Sequence, residues 1–387
     1  MILHRKMQCM LAVIACLSSL MASAQNIKAD TVNNYSSFKR SLSIFGLLQV
    51  RDQQSLTKNV DVTGKNFNPS LTKGVDNSFS LKRARLGLKG NINDQFSANL
   101  LINFADFSNT DIANRVLENA FVKYSKNKYL NIQVGQFRPF FGVEDLYPAE
   151  YTMTWDYSNQ YNLFGSSGWQ SFQLGATVFG DVTNTDKGQI PLRYYAGVYN
   201  GNNRNKQVDN DKTKNVYARL ETDILKKAVT ISVNGALGSD GGGKGNAWGA
   251  DVVSKFRLAP KWKLFLNAEY KQGTNFALCN SIAPDIKKKA KDYVMQGFYV
   301  LPVISYELAK PRLRAIEFSS RYELLDENSK LQTSPHQTFT PNLSFIFSDN
   351  YAAVLMIGTI IDIYKNQVPL TTSYNKNIAY AQLQLKF

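Results

Sequence analysis

The residues of this chain with the clearest chemical role are cations at alternate positions. Arg83 and Arg85 lie two residues apart, so in a β-strand both side chains project to one face, and Lys89 continues that face. Leu86 and Leu88 fall on the opposite face, which suits contact with lipid. A row of cations along an aqueous passage lowers the electrostatic barrier for anions, so this spacing predicts ion selection.

Cations with the same inward parity recur in later segments. They are Lys123, Arg193 and Arg219, followed by Lys255, Arg257, Lys263, Lys271, Arg321 and Lys386. Acids of similar placement are Glu221, Asp251, Glu269 and Glu317. Two interpretations stay open, namely an electropositive ladder that attracts anions and a charge-paired polar lining that only keeps a channel hydrated.

A long segment with acids but no bases interrupts these stretches at residues 139–167, directly after Arg138. Its acids are Glu144, Asp145, Glu150 and Asp156. The segment is too long for an ordinary turn, so we predict that it folds into a channel and narrows it. Facing Arg83 and Arg85, its carboxylates would create a transverse electric field. Its many aromatic residues would either present a sliding surface for sugars or pack the segment on a wall.

Catalysis and metal binding have little basis in this sequence. The only histidines are His4 and His336, and His4 lies in a leader that is expected to be removed. Cys279 is the single cysteine beyond that leader, which excludes a cysteine-rich zinc site. The acidic pair Asp326 and Glu327 has no special spacing. We therefore predict that the protein is not an enzyme and has no metal site and no cofactor.

The elements that would position these charges are β-strands with a period of two. In the last residues, Leu383, Leu385 and Phe387 alternate with Gln384 and Lys386, so one face is apolar and the other polar. A soluble sandwich would turn the apolar face inward, whereas a membrane barrel would turn it to lipid. The pattern repeats in about 16 strands of about 11 to 15 residues, and about 9–11 residues suffice to cross a bilayer.

Long and short connections between these strands alternate along the chain. Long gaps occur at 53–76, 139–167, 274–290 and 364–375, and tight ones occur near 92–93, 127, 225–227 and 348–349. Because antiparallel strands return to the same rim at every second connection, one rim receives the long loops. The sequence thus predicts an all-β fold, a transmembrane antiparallel barrel of about 16 strands with long extracellular loops and short periplasmic turns.

The N-terminus predicts export. A basic start, a short apolar stretch and Ala22-Ser23-Ala24 are typical of a signal peptide over residues 1–24, with a buried helix and lipidation at Cys16 as alternatives. We expect a periplasmic segment at 25–40 and the barrel at 41–387. The net charge of +15 would otherwise suit nucleic acid, but an exported chain is not expected to meet it.

Three motifs in a fixed order resemble a known family. They read LKRARLGLKG from Leu81, ENAFVKY from Glu118 and NIQVGQFRPFFG from Asn131. Together they resemble the phosphate-selective porin O and P family, over roughly residues 79–145. The resemblance implies a 16-stranded homotrimeric porin in the outer membrane of a Gram-negative-type bacterium. The acidic 139–167 segment departs from the basic eyelet of the phosphate-specific members.

The resulting prediction is an outer-membrane diffusion porin for small hydrophilic solutes with a mild preference for anions, phosphate among them. Two alternatives are a non-conducting barrel that acts as a surface adhesin or anchor, and a channel biased towards oligosaccharides. Expected partners are outer-membrane lipid, small anions and, through the basic loop at Lys287–Lys289, lipopolysaccharide. The C-terminal strand with Phe387 resembles the signal that the outer-membrane assembly machinery reads.

Overall fold

A computed structural model describes residues 40–65, 67–70, 74–105, 116–184, 188–206, 208–209, 211–240, 243–331, 333–364 and 377–387. The predicted signal peptide at 1–24, and residues 25–39 of the predicted periplasmic segment, lie outside the described residues. Residues 40–387 belong to one compact unit.

A single closed sheet of sixteen antiparallel strands forms this unit. The strands are β1 Ser41–Ser55, β2 Asn77–Asn91, β3 Phe96–Asn103, β4 Leu117–Asn127, β5 Leu130–Phe137, β6 Gln173–Asp181, β7 Leu192–Tyr199, β8 Asn215–Ile224, β9 Val229–Ser239, β10 Lys244–Ala259, β11 Trp262–Thr274, β12 Val294–Lys310, β13 Leu313–Asp326, β14 His336–Ile346, β15 Ala353–Tyr364 and β16 Ile378–Lys386. Each strand pairs with its neighbours in sequence, and β1 pairs with β16. The predicted fold class is confirmed.

The distribution of exposed side chains is the reverse of that in a water-soluble protein. Leu383 and Leu385 are 47% and 45% exposed, whereas Gln382 and Gln384 are fully buried. The apolar face of β16 therefore points outward and its polar face points into the barrel lumen. This inversion rules out a sandwich, whose apolar faces would be buried against each other. A lipid-facing barrel is the arrangement that stabilises an apolar exterior.

Short Asn-based turns close one rim of the barrel. Asn93 Oδ1 accepts hydrogen bonds from the backbone N–H groups of Gln95 and Phe96, at 2.9 and 2.7 Å. Asn127 Oδ1 accepts in the same way from Tyr129 and Leu130. An Asn side chain that binds its own backbone two or three residues on stabilises a tight reversal. The opposite rim carries most of the long connections.

The helices are few and short. They are α1 Val143–Leu146, α2 Asn159–Ser166 and α3 Phe276–Ser281, with 3₁₀ turns at Ala149–Tyr151, Leu225–Lys227, Ala290–Asp292 and Asp349–Tyr351. Within the described residues, none of these helices has the length and apolar character needed to span a membrane.

The segment between β5 and β6, residues 138–172, lies inside the barrel and is called the inner segment below. Val143 N donates to Glu269 Oε1 on β11 at 2.9 Å, and Asn159 N donates to Glu323 Oε2 on β13 at 2.6 Å. Trp169 Nε1 donates to the carbonyl of Thr274 at 2.8 Å. Backbone groups that would otherwise be buried without partners thus bind to the inner wall.

Two predicted strand boundaries are wrong by five residues. The pattern predicts a strand at 291–305, but β12 continues to Lys310. The alternation around Phe172 predicted a strand from 168, with Phe172 on the lipid face, but β6 begins at Gln173. Phe172 is only 5% exposed and packs under the guanidinium of Arg138, 5.1 Å from its ring centroid. A buried aromatic residue at the end of the inner segment has the same local pattern as the start of a strand, so periodicity does not separate the two.

Candidate functional site

Two β-bulges bring extra charged residues into the lumen. Arg83 pairs with Gln49, and the next pair joins Leu81 with Val50, so Lys82 is an additional residue in β2. Glu118 is an additional residue in β4 in the same way. Its neighbours Asn119 and Leu117 pair with Leu101 and Ile102, which are consecutive in β3. Strict alternation would point Lys82 to lipid. A bulge redirects such a side chain, and Lys82 reaches the inner segment instead.

Three cations surround one carboxylate of the inner segment. Asp156 Oδ1 lies 2.7 Å from Arg83 Nη2, and Asp156 Oδ2 lies 2.6 Å from Lys82 Nζ and 3.5 Å from Arg51 Nη2. The Arg51 guanidinium also lies over the Trp155 ring, 4.2 Å from its centroid. One negative charge is thus shared by three positive charges, which leaves an excess of two positive charges at this point.

The same cluster controls the ionisation of Asp156. Burial alone would raise the pKa of this carboxyl, but the charges of Arg83, Lys82 and Arg51 outweigh burial and hold the pKa well below its usual range. Asp156 therefore stays charged at neutral pH. The inner segment is tied to β1 and β2 by a permanent ionic contact.

The other predicted cations of the mid-lumen are paired with acids on the wall. Arg85 forms two contacts with Glu118, at 2.8 and 2.9 Å. Arg219 Nη1 lies 2.6 Å from Asp251 Oδ2. Arg193, towards the periplasmic end, lies 2.5 Å from Glu221 and 2.8 Å from Asp223. These pairs form a charge-balanced lining, as in the second of the two interpretations of the sequence.

Lys89 and Lys123 differ from the paired cations. Lys89 is exposed near the end of β2, and Lys123 Nζ lies 5.1 Å from the centroid of the Phe179 ring. Neither forms an ion pair with a carboxylate of the part of the chain that the structure describes. The periplasmic half of the lumen therefore carries two further positive charges without a close counter-charge.

Glu144 and Asp145 accept hydrogen bonds from other residues of the inner segment. Glu144 Oε1 accepts from the Ser158 N–H at 2.8 Å, and Asp145 Oδ2 accepts from the Gln170 amide at 2.8 Å. Burial raises the pKa of Glu144 and raises that of Asp145 to about 6, against opposing hydrogen bonds and the charge of Lys271. The sequence predicted that these carboxylates face Arg83 and Arg85 across the channel. Both instead bind groups of their own segment, although Asp145 also lines a cavity that Arg85 borders.

Arg138 and Glu150 complete the predicted constriction set. Arg138 Nη1 donates to the carbonyls of Glu144 and Tyr147, both at 3.0 Å, and to the Tyr157 hydroxyl at 2.8 Å. Its role is to fix the C-terminal end of α1 and the chain that follows it. Glu150 is half-buried and lines a cavity beside the inner segment.

That cavity has a volume of about 500 Å³ and lies between the inner segment and strands β1–β5. Its apolar lining includes Phe45, Leu47, Leu101, Phe121, Phe137 and Phe140. Its polar lining includes Arg85, Asn99, Asn119, Gln133, Asp145 and Lys386. The cavity is thus amphipathic, with amide groups on three neighbouring strands and aromatic rings beside them.

A family model described as phosphate-selective porin O and P matches residues 56–338. The chain belongs to that family. It is an outer-membrane porin, as the sequence motifs predicted. No curated protein sequence matches the chain.

Solved structures of outer-membrane channels share this porin's fold at low sequence identity. DcaP of Acinetobacter baumannii, an outer membrane channel, is 14% identical with a TM-score of 0.52, covering 90% of this chain and 97% of its own. An anion-selective porin from Comamonas acidovorans is 12% identical with a TM-score of 0.54, covering 90% and 100%. OmpT of Vibrio cholerae in a trimer form is 11% identical with a TM-score of 0.56, covering 90% and 99%.

Several site residues of this porin were not singled out from the sequence. Arg51 has lumen parity next to Gln49 and could have been found from alternation alone. Lys82 and Glu118 could not, because a bulge changes the parity of a residue without a signal in composition. Arg321, named only for its parity, donates to the backbone carbonyls of Asp156 and Tyr157 at 2.6 and 3.2 Å and so anchors the inner segment.

Proposed function

We propose that this porin conducts small hydrophilic solutes passively and prefers anions mildly. The observation that carries the proposal is the excess of positive charge where Arg51, Lys82 and Arg83 meet Asp156. Lys82 is the most accessible of the three cations, with 38% of its side chain exposed. Positive potential at the narrow part of a channel lowers the barrier for anions and raises it for cations.

The preference is expected to be mild because most other lumen cations are neutralised. Arg85, Arg193 and Arg219 each contact carboxylates, so they contribute little net potential to a passing ion. A tight phosphate site needs several cations with free donors that converge on one point. In this chain the cations that converge do so on Asp156, which occupies the position that an anion would take.

We also infer export by the 1–24 signal peptide and assembly as a homotrimer. The basic start, apolar stretch and Ala22-Ser23-Ala24 site support the first inference. Family membership supports the second, and the OmpT structure of the same fold is itself described in a trimer form. Chemical cross-linking of the native outer membrane, followed by electrophoresis without heating, would show a single trimer band.

Planar-bilayer recording tests the main proposal. The purified porin should conduct in KCl, and a salt gradient should give a reversal potential that indicates a modest anion preference. Replacing both Arg83 and Arg85 by Ala should shift the reversal potential towards cation selectivity. Lys226→Ala provides a matched control, because Lys226 is an exposed cation in a short turn between β8 and β9.

Three results would contradict this function. Absence of conductance from correctly folded protein would favour the surface-anchor alternative. An unchanged reversal potential in the double variant would remove Arg83 and Arg85 from the permeation path. Block of chloride current by micromolar phosphate would restore a phosphate-specific site despite the acidic inner segment.

A further inference from the structure

We propose that the cavity between the inner segment and β1–β5 binds a ring of a neutral oligosaccharide during permeation. This inference rests on the proposed diffusion function and names a solute class for it. The proposal uses aromatic residues that border the cavity. Most aromatic residues of the inner segment, such as Phe141, Phe164 and Trp169, are buried and take no part in it. Three observations support the proposal: a row of aromatic rings, a group of neutral amide side chains, and cations that already donate to protein groups.

Aromatic rings of the inner wall form a continuous row through Phe140, near the start of the inner segment. Phe121 and Phe137 have ring centroids 5.8 Å apart, and Phe140 lies 6.2 Å from Phe137. Phe140 then contacts Phe179 at 5.4 Å and Tyr195 at 5.0 Å, nearer the periplasmic end. All but Phe137 are only partly buried. A pyranose presents an apolar C–H face, and such faces bury favourably on aromatic rings.

Neutral amides surround the upper end of this row. Asn99, Asn119 and Gln133 lie on β3, β4 and β5 and all line the cavity. An amide side chain donates and accepts at once, which matches the paired donor and acceptor of a sugar hydroxyl. The Asn99 Oδ1 and Asp145 Oδ1 atoms accept no hydrogen bond from the described residues. Acceptors without partners call for a donor, which every sugar hydroxyl supplies and a halide ion such as chloride does not.

The cations of the lining already donate to protein groups, which leaves them less available to an anion at this position. Arg85 is bound to Glu118, and Arg138 is bound to two carbonyls and Tyr157. Lys386 Nζ donates to the Tyr151 hydroxyl at 2.8 Å and to the Asn350 carbonyl at 2.9 Å. The cavity, at about 500 Å³, lies within the usual range for small-molecule sites.

The test is current block in planar bilayers by maltose, maltotriose and maltohexaose. We expect concentration-dependent interruptions of the KCl current that strengthen from the disaccharide to the longer sugars. Phe121→Ala should weaken block at least tenfold. Phe318→Ala is the matched control, because Phe318 is 51% exposed on the outer face of β13. Gln133→Leu is a second variant that keeps side-chain size and removes the hydrogen bonds, and it should weaken block as well.

The outcomes separate this inference from the function on which it rests. A porin that conducts KCl but is not blocked by any of the three sugars overturns the sugar site and leaves the diffusion function intact. Block that is equal in Phe121→Ala, Gln133→Leu and native protein also overturns the site. Block by benzoate but not by sugars would show that the row takes aromatic anions. Absence of conductance would contradict the diffusion function itself.

Discussion

At the scale of single residues, the inner segment uses its four acids in different ways. Asp156 neutralises part of a cationic cluster on β1 and β2, whereas Glu144 and Asp145 accept hydrogen bonds from the segment's own chain. Sequence composition treats these carboxyls as equivalent. Their surroundings separate them, because three nearby cations stabilise the charged form of Asp156 and burial stabilises the neutral form of Asp145.

Ion selectivity should depend on pH through Asp145. Its raised pKa, about 6, means that acidification from about pH 7.5 to about pH 5 removes a negative charge from the cavity lining. Anion preference should therefore rise on acidification, with a midpoint near pH 6. Reversal potentials measured across this range would show the change. Asp145→Asn should weaken this change, and a pH dependence of unchanged size in that variant would assign it to another group, such as Glu144, whose pKa is also raised by burial.

As the pH rises, Asp145 and Asp156 change the stability of the folded protein in opposite directions. Because its folded pKa is raised, Asp145 contributes stability that is present below its unfolded pKa of about 3.9 and is lost as the pH rises through about 6. The pKa of Asp156 is lowered, so its contribution is present above about pH 4 and is lost only at lower pH. Between pH 5 and 7.5, Asp145 should therefore change the docking of the inner segment, whereas Asp156 should not.

At the scale of elements, the strands form the wall, and the bulges in β2 and β4 interrupt its regular alternation of lipid-facing and lumen-facing residues. Each strand places alternate residues in lipid and in the lumen, so a strand of regular pairing can point only every second residue at a solute. The bulges at Lys82 and Glu118 add one charged lumen residue each without disturbing the lipid face on either side.

Deleting Lys82 should remove the bulge and leave the fold intact. Leu81 and Arg83 would then be consecutive residues. They would still pair with Val50 and Gln49 of β1, with Leu81 facing lipid and Arg83 facing the lumen. We expect normal refolding and a weaker anion preference, measured by heat-modified electrophoretic mobility and by reversal potential. Deletion of Leu88 is the contrasting variant, since it inverts every residue beyond it in β2 and should prevent folding. Failure of both deletions to fold would contradict the bulge assignment.

The lipid face of β11 should not tolerate a charge. Leu266 has outward parity and pairs with Pro302 of β12. Leu266→Arg should lower the free energy of unfolding by about 2–4 kcal/mol near the bilayer midplane, and by less nearer the rim. Asn267→Arg, on the lumen side of the same strand, is the control and should cost much less. Equal losses in urea titrations of both variants would argue against the assigned faces.

At the scale of the whole molecule, the barrel and the inner segment have separate sources of stability. The wall is a closed ladder of backbone hydrogen bonds from β1 to β16. The inner segment is held by contacts with wall side chains. Lys271 Nζ lies 2.7 Å from the Gln170 amide oxygen and Glu269 accepts from Val143 N, and these two wall residues form a buried pair at 3.0 Å. Buried pairs of this kind fix one geometry more than they add stability.

Replacing residues 143–166 by a short Gly-Ser linker should therefore enlarge the pore without unfolding the barrel. The ends of the inner segment are close, because Phe137 pairs with Gln173. Single-channel conductance should rise severalfold, while strand content measured by circular dichroism stays unchanged. A deletion of similar length in the β11–β12 connection, residues 275–293, is the control. An unchanged conductance would show that the inner segment does not narrow the path.

The sequence by itself determined the strand number, the lipid face and the family. These properties are local, because alternation with a period of two, Asn turns and the ordered motifs from Leu81 to Gly142 depend on neighbours along the chain. Most predicted strands agree with the structure within two to three residues. The exceptions are the end of β12 and the start of β6, where buried aromatics at 168–172 imitate a strand.

Only the tertiary structure decided which charges remain free. Arg83, Arg85 and Arg219 have the same inward parity in the sequence, yet their partners come from the inner segment, β4 and β10, which are distant along the chain. Ion pairing depends on distances of a few ångströms between segments, and periodicity carries no information on such distances. The inward bulge at Lys82 and the aromatic row arise for the same reason, since the bulge is set by pairing between strands and the row by contacts of Phe140 of the inner segment with β5, β6 and β7.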